Sequence, residues 1–199
     1  MRRFLLILAL FALAVPAFAR AADEPAIERT KAFIAAFKKV KEGAPASANQ
    51  AAFDELDGFL NYDVLTSVPL EPRKDKFTKA QLEDFRGKFR KLIRLSAFQG
   101  SGKFFRDAEI TFQPVKKNGD ETIVVFDSRL PAEDLETQVT LHWKGEGKAM
   151  KLVDVGFDGD SLVADYRNQF TRIIDKDGVP ALIAKATERL QALEKGKKE

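Results

Sequence analysis

Residues 158–170, "DGDSLVADYRNQF", gather side chains that could do chemistry: Asp158, Asp160, Ser161, Asp165, Tyr166, Arg167, Asn168 and Gln169. A carboxylate pair such as Asp158 and Asp160 can split its pKa values and serve as acid and base. The spacing points elsewhere. Leu162, Tyr166, Phe170, Ile173 and Ile174 fall on one helical stripe directly after the acids. Asp160 or Ser161 then reads as an N-cap, and the acids as partners of the positive helix end.

The other chemical candidates are weaker still. His142 is the single histidine; it stands at an outward strand position with no nucleophile in frame, which favours a solvated histidine over a general base. "QGSGKFF" fails the phosphate-loop pattern, because Ala97 and Phe104 stand where glycine and Ser or Thr are required. It is expected to be a loop that ends the helical half. "DKDG" (175–178) lacks the first and last ligands of a calcium loop, with Ile173 and Ala184 in their places, and reads as a helix stop. With no cysteine, thiol chemistry and cysteine-bound metal are excluded. Arg86, Lys88, Arg90, Lys91 and Arg94 form a basic helix side, read first as a solvated face. The sharper reading is contact with anionic lipid or an acidic partner. No catalytic set emerges, and the chain is expected to be no enzyme.

Elements follow from periodicity. Ile27, Phe33, Ile34, Phe37 and Val40 recur at helical spacing, and "EGAPASANQ" breaks the run. A second helix carries Phe53, Leu56, Phe59 and Leu60, and "NYDVLTSVPLEPRKDK" leads from it into a proline-marked loop. Thr78 caps a third helix bearing Leu82, Phe85, Phe89, Leu92 and Leu95. Four strands follow, "AEITFQPV", "TIVVFDSRL", "LETQVTLHW" and "MKLVDVGF", with an Asn118-Gly119 hairpin signal after the first. Gly178 stops the next helix, and Pro180 opens a last one with Leu182, Ile183, Ala186, Leu190 and Leu193. The expected fold is α+β: N-terminal helices, a four-stranded curved antiparallel sheet, and two C-terminal helices packed on it; the family resemblance given below implies that they pack around an apolar cavity.

Arg2 and Arg3 precede the apolar run Phe4–Val15 and a small-x-small site. That is a secretory signal, residues 1–21, cut after Ala19 or Ala21; about 12 apolar residues are too few to span a bilayer. Residues 22–195 then form one domain and 196–199 a frayed tail. The formal charge of +3 falls near zero once the signal arginines leave, so no nucleic-acid partner is implied. The 17 Phe against 2 Tyr and 1 Trp mean either a well-filled core or an apolar cavity, and composition does not choose.

Residues 153–190, "VDVGFDGDSLVADYRNQFTRIIDKDGVPALIAKATERL", resemble the C-terminal signature of the MlaC, or toluene-tolerance, family. Asp154, Val155, Ser161, Leu162, Tyr166, Arg167, Gln169, Phe170, Gly178 and Leu182 match it; Asp160 departs from the usual valine. "FLNYDVL" and "KFTKAQLEDFRGKFRKLI" resemble the helical half. The resemblance implies a monomeric periplasmic phospholipid carrier with no cofactor other than its lipid cargo. Its implied partners are an outer-membrane lipoprotein complex and an inner-membrane ABC transporter with its ring of substrate-binding domains, and its implied role is outer-membrane lipid asymmetry. A carrier of another, hopanoid-type lipid and an adaptor with a filled core are the alternatives.

Inward periodicity nominates the lipid-contacting residues. They are Phe85, Phe89 and Leu92 on the third helix, and Tyr166, Phe170 and Ile173 on the helix after the sheet. From the strands come Ile110, Phe112, Val124, Phe126, Val139, Leu141, Trp143, Val153 and Val155. Periodicity does not separate those that line a void from those that fill core.

Overall fold

The computed structural model describes residues 17–195, with side chains from residue 25 onward except at 46. The apolar run of the signal and the tail 196–199 lie outside the described residues. Helix α1 (Ala17–Lys38) buries Phe33, Ile34 and Phe37, with Val40 following its end. A 310 turn (Ala46–Asn49) leads into α2 (Gln50–Asp57), which buries Phe53 and Leu56.

The segment expected as a proline-marked loop is helical instead. Asn61 caps α3 (Tyr62–Ser67), its side chain accepting from Val64 N at 3.2 Å, and a 310 stretch (Val68–Lys76) continues from it. Pro69 stands in the first turn of that stretch, where a missing N–H leaves nothing unsatisfied.

Thr78 caps α4 (Lys79–Asp107) through a reciprocal box: its Oγ1 accepts from Gln81 N at 3.2 Å, and Gln81 Oε1 accepts from Thr78 N at 3.0 Å. Helix α4 does not stop at "QGSGK" but runs through it. The reason is tertiary. A Cβ on Gly102 would lie 2.7 Å from the Val40 carbonyl oxygen, so this glycine lets the end of α1 press against α4. Arg106 Nη1 donates to the same carbonyl at 2.7 Å.

The sheet has six strands, two more than expected. Strands β1 (Glu109–Phe112) and β2 (Lys116–Asn118) share one edge of β3 (Glu121–Leu130), separated by the ring of Pro114. Beyond β3 lie β4 (Leu135–Lys144), β5 (Lys151–Phe157) and the two-residue β6 (Asp160–Ser161), all antiparallel. Gly119 and Asp120 close the β2–β3 hairpin, with Gly119 at φ +59°. Asp158 and Gly159 close β5–β6 with φ of +51° and +94°, the left-handed pair that suits the strand twist.

Helix α5 (Leu162–Glu194) bends at Gly178, whose φ of +82° separates two arms, and Pro180 restarts the second. Just before the bend, Asp175 accepts from Arg73 Nε and Nη2, both at 2.6 Å, and from Lys76 at 2.7 Å. Those bonds tie the 310 stretch to α5. They also hold the Asp175 carboxyl far below the usual carboxylate range, Arg73 first and Lys76 second.

Apolar burial falls into two clusters. One joins α1, α2 and the C-terminal half of α4 to the inner faces of β3, β4 and β5. The other joins the 310 stretch, the N-terminal half of α4 and both arms of α5 around Phe85, Phe89, Phe170 and Leu182. The candidate site has one compartment lined mainly by each cluster.

Candidate site: two adjoining apolar compartments

The first compartment is a chamber of about 280 Å³ between the sheet and the helices. Phe33 and Phe37 of α1 close one wall, and Phe89, Ile93, Phe98 and Phe105 of α4 form the roof. Val139, Leu141, Leu152 and Val155 make the sheet floor, and Leu162, Val163 and Tyr166 at the start of α5 complete it.

One carboxylate reaches the chamber, and it is already engaged. Asp154 Oδ1 accepts from Val155 N at 2.8 Å and Val163 N at 3.1 Å, while Oδ2 accepts from the Ser161 hydroxyl. Ser161 Oγ in turn accepts from Ala164 N at 3.0 Å. This knot satisfies the first amides of α5 and places a negative charge at its positive end. The polar cluster of residues 158–170 is therefore a strand-to-helix junction: Ser161 is the cap, and Asp158 and Asp160 belong to the hairpin. Asp165, Arg167, Asn168 and Gln169 are exposed.

The second compartment is a cleft of about 390 Å³ between α4 and the two arms of α5. Its floor is Phe85, Leu92, Phe170, Ile173, Leu182 and Ala186, and Gln169, Lys185 and Arg189 also line it. Phe89, Ser96 and Tyr166 line both compartments. Between chamber and cleft the rings form a partition: Phe89 meets Tyr166 edge-on at 4.9 Å and Phe170 at 5.1 Å, and Tyr166 stacks on Phe170 at 5.6 Å. Burial, with a smaller push from Asp165, raises the Tyr166 phenol above its ordinary range and keeps it neutral.

Nine of the fifteen residues nominated from periodicity lie in these walls. Phe85, Phe89, Leu92, Phe170 and Ile173 line the cleft, Val139, Leu141 and Val155 the chamber, and Tyr166 both. Val124, Phe126 and Trp143 are fully buried in packed core, with Ile110 and Phe112 half-buried against it. Val153 takes a different place because β5 bulges. His142 pairs with Asp154 and Trp143 with Leu152, so Val153 is the extra residue, and the inward set passes from Val155 to Leu152. Strict alternation misses that change, and with it Leu152. It misses Phe33 and Phe37 because a visible helical stripe does not distinguish cavity wall from core, and Phe98 and Phe105 because they lie past Leu95, the last stripe residue read on the third helix, which in fact runs on to Asp107.

Outside the compartments the chemical candidates are engaged in structure. His142 Nδ1 lies 2.9 Å from Glu121 Oε2 across the β3–β4 ladder. On the basic side of α4, Arg94 bonds Asp54 and Asp57 at 2.7 and 2.6 Å, Arg86 bonds Asp63 at 3.0 Å, and Arg90 stacks on Tyr62. The carboxylates that balance it come from α2 and α3. Among the described residues no group of His, Cys, Asp and Glu could hold a metal ion, and no helix is long and apolar enough to cross a membrane.

Comparison with known proteins adds two findings. The model of the MlaC family, described as MlaC protein, matches residues 24–188. A solved structure of a phospholipid-binding protein from Ralstonia solanacearum, in complex with a phospholipid, superposes with a TM-score of 0.65 at 18% identity. The match covers 86% of this chain and 98% of that one. No curated protein matches the sequence.

Proposed function

Because this chain belongs to the MlaC family, we propose that it binds a phospholipid and carries it through water, with acyl chain in the chamber and the adjoining cleft. The observation that carries this reading is the pair of apolar compartments that share Phe89, Ser96 and Tyr166 as a common wall, the chamber lined mainly by the first cluster and the cleft by the second. An adaptor with a filled core has no use for such space.

The energetic requirement is steep. Each buried methylene is worth roughly 0.8 kcal/mol, so a two-chain lipid with about 30 methylenes is held in a bilayer by roughly 20–25 kcal/mol. A carrier must replace most of that apolar contact. Phenylalanine is suited to the task, since it supplies large area with no hydroxyl that needs a partner. Phe33, Phe37, Phe85, Phe89, Phe98, Phe105 and Phe170 supply it here.

The remaining parts of the reading follow from the family and the signal segment. The mature protein works in the periplasm, receives or delivers lipid at an outer-membrane lipoprotein complex and an inner-membrane ABC transporter, and so maintains outer-membrane asymmetry. The arrangement is that of a binding carrier: the polar groups near the chamber cap a helix and none is set against a substrate bond.

The test is direct loading. Purified mature protein is incubated with vesicles of fluorescent phosphatidylglycerol, separated from them and assayed for lipid per protein. About one lipid per chain supports the carrier, and none after prolonged incubation refutes it.

A further inference from the structure

Among the described residues the two exposed large apolar side chains stand at one end of one surface. Phe157, 41% exposed, pairs with Val139 and lines the chamber beside it. Leu135, 45% exposed, stands four residues from Val139 on the same strand with no break in register, so it shares the inner face of the sheet. Strand β5 stops at Phe157. Asp158 then turns the chain, its N donating to the Gln138 carbonyl and its Oδ1 accepting from Gln138 N, both at 2.9 Å. Residues 135–137 therefore run past the end of β5 while still paired to β3. They form a ledge that extends the chamber floor into solvent. The other end of β5 is closed: Leu152 pairs with Trp143 and bridges to Leu60, and all three are buried.

We propose that this ledge is the acyl-chain portal of the chamber: the methylenes nearest the glycerol lie across Phe157 and Leu135, and the chain end reaches toward Leu60 and Leu152. The inference rests on the carrier reading above and adds the route by which a chain enters and leaves. Two observations name an acyl chain as the occupant. Phe157 belongs to the chamber wall and to the surface at once, so a ligand that fills the chamber and leaves it at this end crosses that ring. Space supplies the second. At roughly 30 Å³ per methylene, about the share of one molecule in liquid water, a chamber of about 280 Å³ holds about nine. Each chain of a lipid with about 30 methylenes carries about 15. The surplus has no way inward, because Phe89, Tyr166 and Phe170 partition the chamber from the cleft. It extends outward, and since the head group stays in water, the outer methylenes are those next to the glycerol. On the ledge they keep part of the apolar contact they have in a bilayer.

The chain has no cysteine, so single fluorescent probes can be placed by substitution. One goes at Thr137→Cys, on the inner face between Leu135 and Val139. Another goes at Leu65→Cys on the chamber wall, one turn after Asn61, whose N bonds the Leu152 carbonyl at 2.9 Å. Each labelled mature protein is loaded from vesicles of phosphatidylcholine that carries a nitroxide quencher either near the glycerol or near the chain end. At position 137 the nitroxide near the glycerol should quench more strongly, and at position 65 the one near the chain end. Loading rates supply a second readout. Phe157→Asp sets on the ledge a carboxylate that each passing chain must desolvate, and should slow loading by about tenfold or more. Phe157→Leu, the conservative variant, should recover the rate lost in Phe157→Asp. Equal quenching by the two nitroxides at position 137, or the reverse order there, overturns the portal and is the result expected if a protein partner covers the ledge instead. A Phe157→Asp protein that loads as fast as the parent overturns it too. A protein that takes up neither nitroxide lipid overturns the carrier reading beneath it.

Discussion

Trp143 Nε1 donates a hydrogen bond to Thr30 Oγ1 at 3.0 Å, joining the sheet to α1 across 113 positions, with both residues fully shielded from solvent. Phe33 packs edge-on against the same indole at 5.7 Å. The pair fixes α1 against β4 and so sets one wall of the chamber, although neither residue lines it. Trp143 therefore serves the site from within the core.

Removing one half of that bond strands a buried indole N–H. Thr30→Val keeps the side-chain shape and deletes the acceptor, which costs about 1–3 kcal/mol. Urea unfolding should show that loss, and lipid loading of the folded fraction should be unchanged. A variant as stable as the parent would show that the bond does not fix α1.

The glycines of "QGSGK" separate two roles within one helix. Gly102→Ala drives a methyl into the Val40 carbonyl and should destabilise by about 1–3 kcal/mol. Gly100 faces open space, so Gly100→Ala should stabilise by about 0.4–1 kcal/mol through the unfolded chain. Thermal melts of the two variants should move in opposite directions.

Acid should weaken the link between the 310 stretch and α5. Asp175 titrates below its unfolded value because Arg73 and Lys76 hold its charged form. Its contribution to stability is complete above the unfolded carboxylate pKa of about 4 and fades as pH falls through the lower, folded value. Unfolding midpoints measured from pH 7 to 2 should fall less for Asp175→Asn than for the parent in the acid range. Parallel curves would remove Asp175 from the acid response.

Filling the chamber should displace cargo. Ile93→Trp adds bulk to its roof and should lower lipid loading at least about tenfold, with overpacking of about 1–3 kcal/mol. Ile123→Trp places the same bulk on β3 away from both compartments and should leave loading intact. Equal loading in both variants would move the cargo out of the chamber.

Local signals in the sequence matched local structure. The Thr78–Gln81 box, the Gly119-Asp120 turn, one residue beyond the expected Asn118-Gly119 pair, and the Gly178–Pro180 break each depend on residues within a few positions of one another. What escaped depends on distant partners. Helix α4 crosses two glycines because one of them faces Val40, 62 positions earlier on another element. Residues 68–76 form 310 turns on either side of a kink at Arg73, beneath a clamp from Asp175 about 100 positions later. The inward face of β5 changes at Val153 because β4 and β5 slip register there. Much of the chamber wall comes from α1 and the C-terminal half of α4: Phe33 and Phe37 sit on a stripe that does not tell wall from core, and Phe105 lies beyond the helix end expected at "QGSGK".

Native mass spectrometry of the mature protein, exported in a bacterial host and purified without detergent, tests the central claim most directly. The account predicts a mass increment of one phospholipid that organic extraction removes and that Ile93→Trp lowers. A bare protein mass, unchanged after exposure to phospholipid vesicles, would contradict it.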